Sequence, residues 1–140
     1  MDPQAVATLC HAHAEAEFDI DGVLATLVPS PRHEFFPLAL SLTGWATIER
    51  FDRHQYPRFV AQVVGYELSG EWVNEQAALQ EYVINLRGKD DGVASYRVMS
   101  IMSVDDAVGR LSGERLYCDE WFVRALLGPL FTLLEGVGGG

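Results

Sequence analysis

Two histidines and two glutamates near the N-terminus are the first residues in this chain whose types and spacing could do chemistry. The stretch "HAHAEAEFDID", His11 to Asp21, alternates polar and apolar residues without a slip. On a strand, His11, His13, Glu15 and Glu17 would project from one face, as metal ligands do. The three alanines between them argue otherwise, because alanine is the best helix former and is depleted in strands. Asp2 followed by Pro3 is a good cap and first-turn pair. The reading is therefore a helix over 3–17. At about 100° per residue, His11 and His13 lie on nearly opposite sides and cannot share an ion. No metal site is expected. The four residues instead form two pairs, His11 with Glu15 and His13 with Glu17. Val6, Leu9 and Cys10 mark the buried side, which His13 and Glu17 continue. That pair is either a helix-packing contact or a polar patch on a cavity wall.

A second candidate lies in an apolar setting. Glu81 sits within "ALQEYVINL", where an unpartnered buried acid would be costly. Arg97, on the next expected strand, is its natural partner, and a structural ion pair is the simpler reading.

These residues must be placed by one domain. The chain has 140 residues and 49% hydrophobic content, enough for a single core. Its formal net charge of −10 makes phosphate backbones and anionic membrane surfaces poor partners. Neither a secretory leader nor a membrane span is evident, so a cytoplasmic protein is expected. Cys10 and Cys118 form no disulfide or zinc pattern and read as buried thiols.

Beyond the first helix, Asp19 can cap a second one with Val23, Leu24, Leu27 and Val28 as its stripe, ended by Pro29 and Pro31. Strand-like runs flank Pro37. "WATIERFDRHQYPRF" reads as a third helix stopped by Pro57. Four long strands follow, over 59–69, 72–86, 94–104 and 111–118. The polar turn Arg87–Gly92 separates two of them. A closing helix, 119–127, ends at Gly128-Pro129. The domain is expected to span 1–135, with 136–140 a flexible glycine-rich tail. "QEYVINL" and "YRVMSIM" are apolar on both parities, so both sheet faces should be covered. Helices can cover one face. A second copy, giving a homodimer, would cover the other.

The order of elements resembles the nuclear transport factor 2-like, or SnoaL-like, family over nearly the whole chain. Three stretches carry the likeness: "HAEAEFDIDGVLATLVPSPRHEF", "LTGWATIERF" and "GRLSGERLYCDE". The resemblance implies an α+β fold, a cone-shaped curved antiparallel sheet packed on N-terminal helices and enclosing a pocket. The family holds isomerases, cyclases, epoxide hydrolases, dehydratases and proteins with no known activity, so fold does not settle function. The resemblance implies a small hydrophobic ligand, no cofactor, and acid–base chemistry on a carbonyl compound if there is any. The alternative is a non-catalytic dimeric binding module. By position, Asp119 would be the base and Tyr117 its neighbouring donor. Asp119 is equally a natural N-cap for the closing helix. Arg115 shares their strand parity and could neutralise Asp119. His33 reads as a surface residue. Arg97 is followed two residues on by Met99, which disfavours the epoxide-hydrolase arrangement. Ser30 and Arg32 stand where a steroid isomerase would carry its base.

Overall fold

The structure is a computed structural model, and it describes residues 1–15 and 20–137. Glu17 and Asp19, singled out above, lie outside the described residues. Helix α1, Pro3–Glu15, starts where Asp2 accepts a hydrogen bond from the Ala5 amide at 2.8 Å. It buries Val6 and Cys10, one turn apart. Helix α2 is Ile20–Ala25, and strand β1, Leu27–Phe36, follows it.

The first correction falls here. Leu27 and Val28, expected on the second helix, belong to β1, and Pro29 and Pro31, expected to end that helix, lie inside the strand. Prolines are tolerated because the pairing of β1 with its neighbour slips between Leu27 and Arg32, at a bulge where ladder donors are not needed. Strand β2, Leu40–Thr43, returns antiparallel to β1.

The third helical stretch is longer than expected. Helix α3, Trp45–Arg50, widens into a π-helical turn, Phe51–Gln55, and continues as α4, Tyr56–Val60. The Tyr56 amide bonds back to the Phe51 carbonyl, an i to i+5 link. Pro57 then falls in the first turn of α4, where its missing N–H costs least, so it does not stop the helix.

Strands β3, Val63–Val73, and β4, Ala77–Arg87, meet at a turn around Asn74, later than the sequence suggests. The Asn74 side chain accepts from the amides of Gln76 and Ala77 at 2.8 and 2.9 Å and so builds the turn. Strands β5, Val93–Asp105, and β6, Arg110–Tyr117, complete an antiparallel run. Helix α5, Glu120–Leu127, a 3-10 turn, Gly128–Leu133, and a two-residue strand β7, Glu135–Gly136, close the described chain. Gly136 pairs with Leu40, so it is held in the sheet and is not part of a free tail.

The architecture is α+β. One curved, open sheet has the order β3-β4-β5-β6-β1-β2-β7. It is mixed, not purely antiparallel as expected, because β1 runs parallel to β6. The core packs Val6, Ile48, Phe51, Phe59, Phe122 and Leu127 from the helical segments against the inner sheet face. Among the described residues, no helix is long and apolar enough to cross a membrane.

A candidate acid–base cavity

The parallel contact between β1 and β6 sets the floor of the site. His33 on β1 lies beside Glu114 on β6 in register, so their side chains project to the same, inner face. Diagonal to Glu114 on β5, the Ser100 hydroxyl donates to Glu114 Oε1 at 2.5 Å. From the opposite side, the π-helical turn delivers Asp52, which is 9% exposed. Its Oδ2 has no hydrogen-bond partner among the described residues. His33 is 6% exposed, and its Nδ1 likewise has no partner among the described residues. Helix α1 contributes His13. Its Nδ1 lies 2.7 Å from Thr26 Oγ1, and that hydroxyl donates to the Val23 carbonyl at 2.6 Å. Thr26 must therefore accept, which places the His13 proton on Nδ1 and leaves Nε2 as an acceptor.

His13, His33, Asp52, Ser100 and Glu114 line one cavity of about 470 Å³, within the usual range for small-molecule sites. Its walls are mainly apolar: Phe35, Phe51, Phe59, Ile84, Met102 and Phe122 among others. Tyr56, Tyr66, Gln80 and Tyr82 supply further polar edges. No lysine or arginine is among the lining residues.

The electrostatics follow from this dry lining. Burial pushes the Asp52 carboxyl up from 3.8 to about 7, and the charge of Glu114 adds to the shift. Burial also raises Glu114, while the Ser100 hydrogen bond opposes that rise. Asp52, raised to about 7, keeps its proton to near neutrality, and a charged Glu114 helps to hold it there. Both histidines are neutral there. Burial lowers His13 to about 4, and burial with the nearby His13 lowers His33 to about 4. Burial holds the Tyr82 phenol well above its ordinary value, so it remains a donor. The cavity thus holds two acids, both raised by burial, in one enclosure, the kind of pair from which acid–base catalysis draws separate roles. Among the described residues, no three His, Cys, Asp or Glu side chains are grouped to hold a metal ion.

The residues expected from the sequence fall differently. His13 faces the cavity, as its helix position suggested. His11 faces outward and meets Glu71 at 3.0 Å. Asp119 does not reach the cavity. It is exposed and caps α5, its Oδ1 accepting from the Trp121 amide at 2.7 Å. Tyr117 and Arg115 do share a parity, but it is the outer one. Tyr117 stacks on Phe36 with ring centroids 5.1 Å apart. Arg115 meets Glu34 at 3.6 Å and does not neutralise Asp119. Glu81 and Arg97 form the expected ion pair, 3.0 Å apart on the outer face. His33 is buried, not superficial, because its partner strand and Phe51 enclose it. Cys10 is buried and its thiol pushed up to about 11, and the partly buried Cys118 to about 12.

Asp52, Glu114 and Ser100 were missed. Asp52 follows Ile48 by four residues and precedes Phe59 by seven, on the buried stripe of the third helix. A carboxylate on that stripe was the available clue. Glu114 shares parity with buried Leu116, a clue that the motif around Asp119 obscured.

No protein-family model matches the chain, and neither does any curated protein sequence. Solved structures do match in fold. A nuclear transport factor 2-like protein from Burkholderia xenovorans superposes with a TM-score of 0.68 at 16% identity, over 90% of this chain and 98% of its own. A candidate SnoaL-like polyketide cyclase from Shewanella denitrificans gives 0.63 at 10% identity, over 88% and 96%. A candidate ketosteroid isomerase from Kribbella flavida gives 0.64 at 18% identity, over 85% and 80%. The chain has the nuclear transport factor 2-like cone fold.

Proposed function

We propose that the cavity binds a neutral, largely apolar carbonyl compound and moves a proton on the carbon beside its carbonyl. The observation that carries this reading is the pairing of Glu114 with the unpartnered, buried Asp52 Oδ2 in one apolar cavity. Glu114, held by Ser100, takes the proton from carbon as the electron pair moves onto the carbonyl oxygen. Asp52, still protonated near neutrality, donates a hydrogen bond to that oxygen as its negative charge develops. Return of the proton to another carbon would give isomerisation. Attack by the enolate would give cyclisation, and loss of a β-hydroxyl would give dehydration. The first step is common to all three. A cavity lined by two carboxyls and no cation disfavours anionic substrates. The likeness to a candidate cyclase and a candidate ketosteroid isomerase supports the class of reaction and names no substrate.

The test is hydrogen–deuterium exchange beside the carbonyl, followed by NMR, over a panel of neutral cyclic and polyketide-like ketones. Wild-type protein should accelerate exchange for at least one ketone. Glu114→Gln and Asp52→Asn should each lower that rate by about 100-fold or more. Undiminished exchange by Glu114→Gln would show that the base is assigned wrongly. Saturable binding across the panel without exchange would favour a binding module.

The outer sheet face carries Leu79, Val83, Met99 and Ile101, all partly exposed, around the Glu81–Arg97 pair. We propose that a second copy covers this face, and sedimentation at micromolar concentration should find a dimer.

A further inference from the structure

The outward side of the third helical stretch gathers two arginines and a histidine at one recess. The sequence has 20 Asp and Glu against 10 Lys and Arg, so an unneutralised basic cluster runs against its composition. Arg50, His54 and Arg58 follow one another at intervals of four. They line a recess of about 310 Å³, with Gln55, Pro129 and Leu130 as the remaining lining. Nearby arginines are neutralised: Arg53 meets Glu49 and Arg124 meets Glu120, each at 3.3 Å. The side chains of Arg50, His54 and Arg58 have no ion pair or hydrogen bond among the described residues.

The recess is built by packing, not left over by it. Gln55 is buried and donates to the Leu126 carbonyl at 3.2 Å, which ties the helix to the end of α5. Gly128 sits at a φ of 52°, and a Cβ there would lie 2.7 Å from Gln55 Nε2, so a side chain at this position would press on the Gln55 amide. The chain then turns through Pro129 and Leu130, which form an apolar wall beside the cations.

We propose that this recess binds a phosphate monoester with a short apolar stem. Two guanidinium groups offer several N–H donors in planar forks, which match the oxygens of a phosphate better than a single point charge would. Exposed Pro129 offers contact area to the stem, with buried Leu130 as the floor behind it. The net charge of −10 repels extended polyanions and anionic membranes, which leaves a small ester as the fitting partner. The site is separate from the cavity, whose carboxyl groups disfavour such a ligand.

Titration of isotope-labelled protein with hexyl phosphate, at constant ionic strength, tests this. Inorganic phosphate and hexanol are the comparison ligands. Saturable shifts are expected at Gly128, Leu130 and the Arg50 and Arg58 side chains, with affinity about tenfold above inorganic phosphate. The double variant Arg50→Gln/Arg58→Gln should lose at least about tenfold in affinity, and Arg53→Gln should not. Unchanged affinity in the double variant, no saturation by about 10 mM, or shifts confined to the large cavity would each overturn the site. Equal affinity for inorganic and hexyl phosphate would overturn the ester assignment.

Discussion

The Arg32 carbonyl oxygen lies 1.7 Å from the point where a Cβ on Gly113 would sit. The two residues are partners across the parallel β1–β6 pair, and Gly113 has a φ of 145°, which side chains avoid. This approach brings His33 level with Glu114. Gly113→Ala should therefore cost at least about 3 kcal/mol, through overpacking and backbone strain together. Urea unfolding checks the value. A cost under about 0.5 kcal/mol would mean the strands part without penalty.

The proposed chemistry needs Glu114 ionised and Asp52 protonated. Its rate should fall as pH rises through about 7, where Asp52 loses its proton. A rate–pH profile measured on the exchanging ketone checks this. A rate that climbs through that range would reverse the roles of the two acids.

Asp52 also links stability to pH. Its folded pKa is raised from 3.8 to about 7, so its contribution is full below the unfolded value and is lost as pH rises between the two. Asp52→Asn removes that loss. The variant should gain on wild type as pH goes from 4 to 8, by up to about 4 kcal/mol at 1.36 kcal/mol per pKa unit. Denaturation curves at several pH values would show a constant difference if Asp52 were solvated.

The histidines act in the opposite sense. His33 is depressed from 6.5 to about 4, so its contribution is full above 6.5 and is lost as pH falls between those values. The loss amounts to about 3 kcal/mol for this fully enclosed ring. Replacing it by leucine should flatten the acid side of the stability profile. An unchanged slope between pH 6.5 and 4 would count against a buried neutral His33.

Asp119 should behave as a cap and nothing more. Asp119→Ala should lower stability by about 1 kcal/mol, and Asp119→Asn should change little, because Asn also caps well. Neither should alter turnover on a ketone that the wild type converts. A loss of rate in Asp119→Asn would return this residue to the site.

The sequence by itself determined the α+β class, the helix at "HAHAE", the inward turn of His13 and the Glu81–Arg97 pair. Each rests on local periodicity or on neighbouring strands joined by a short turn. Which carboxylates enter the cavity was decided by tertiary structure. Strand alternation separates Glu114 from Arg115 and Tyr117 but does not say which set faces inward. That choice depends on where β6 lies against β1, about 80 residues earlier in the chain, and on the close approach that Gly113 allows. Asp52 enters through a π-helical turn, whose wider winding is not written in the 3.6-residue period. His33 looked like a surface residue beside two prolines. A parallel neighbour and a helix packed above it remove it from water, and no local pattern records either contact.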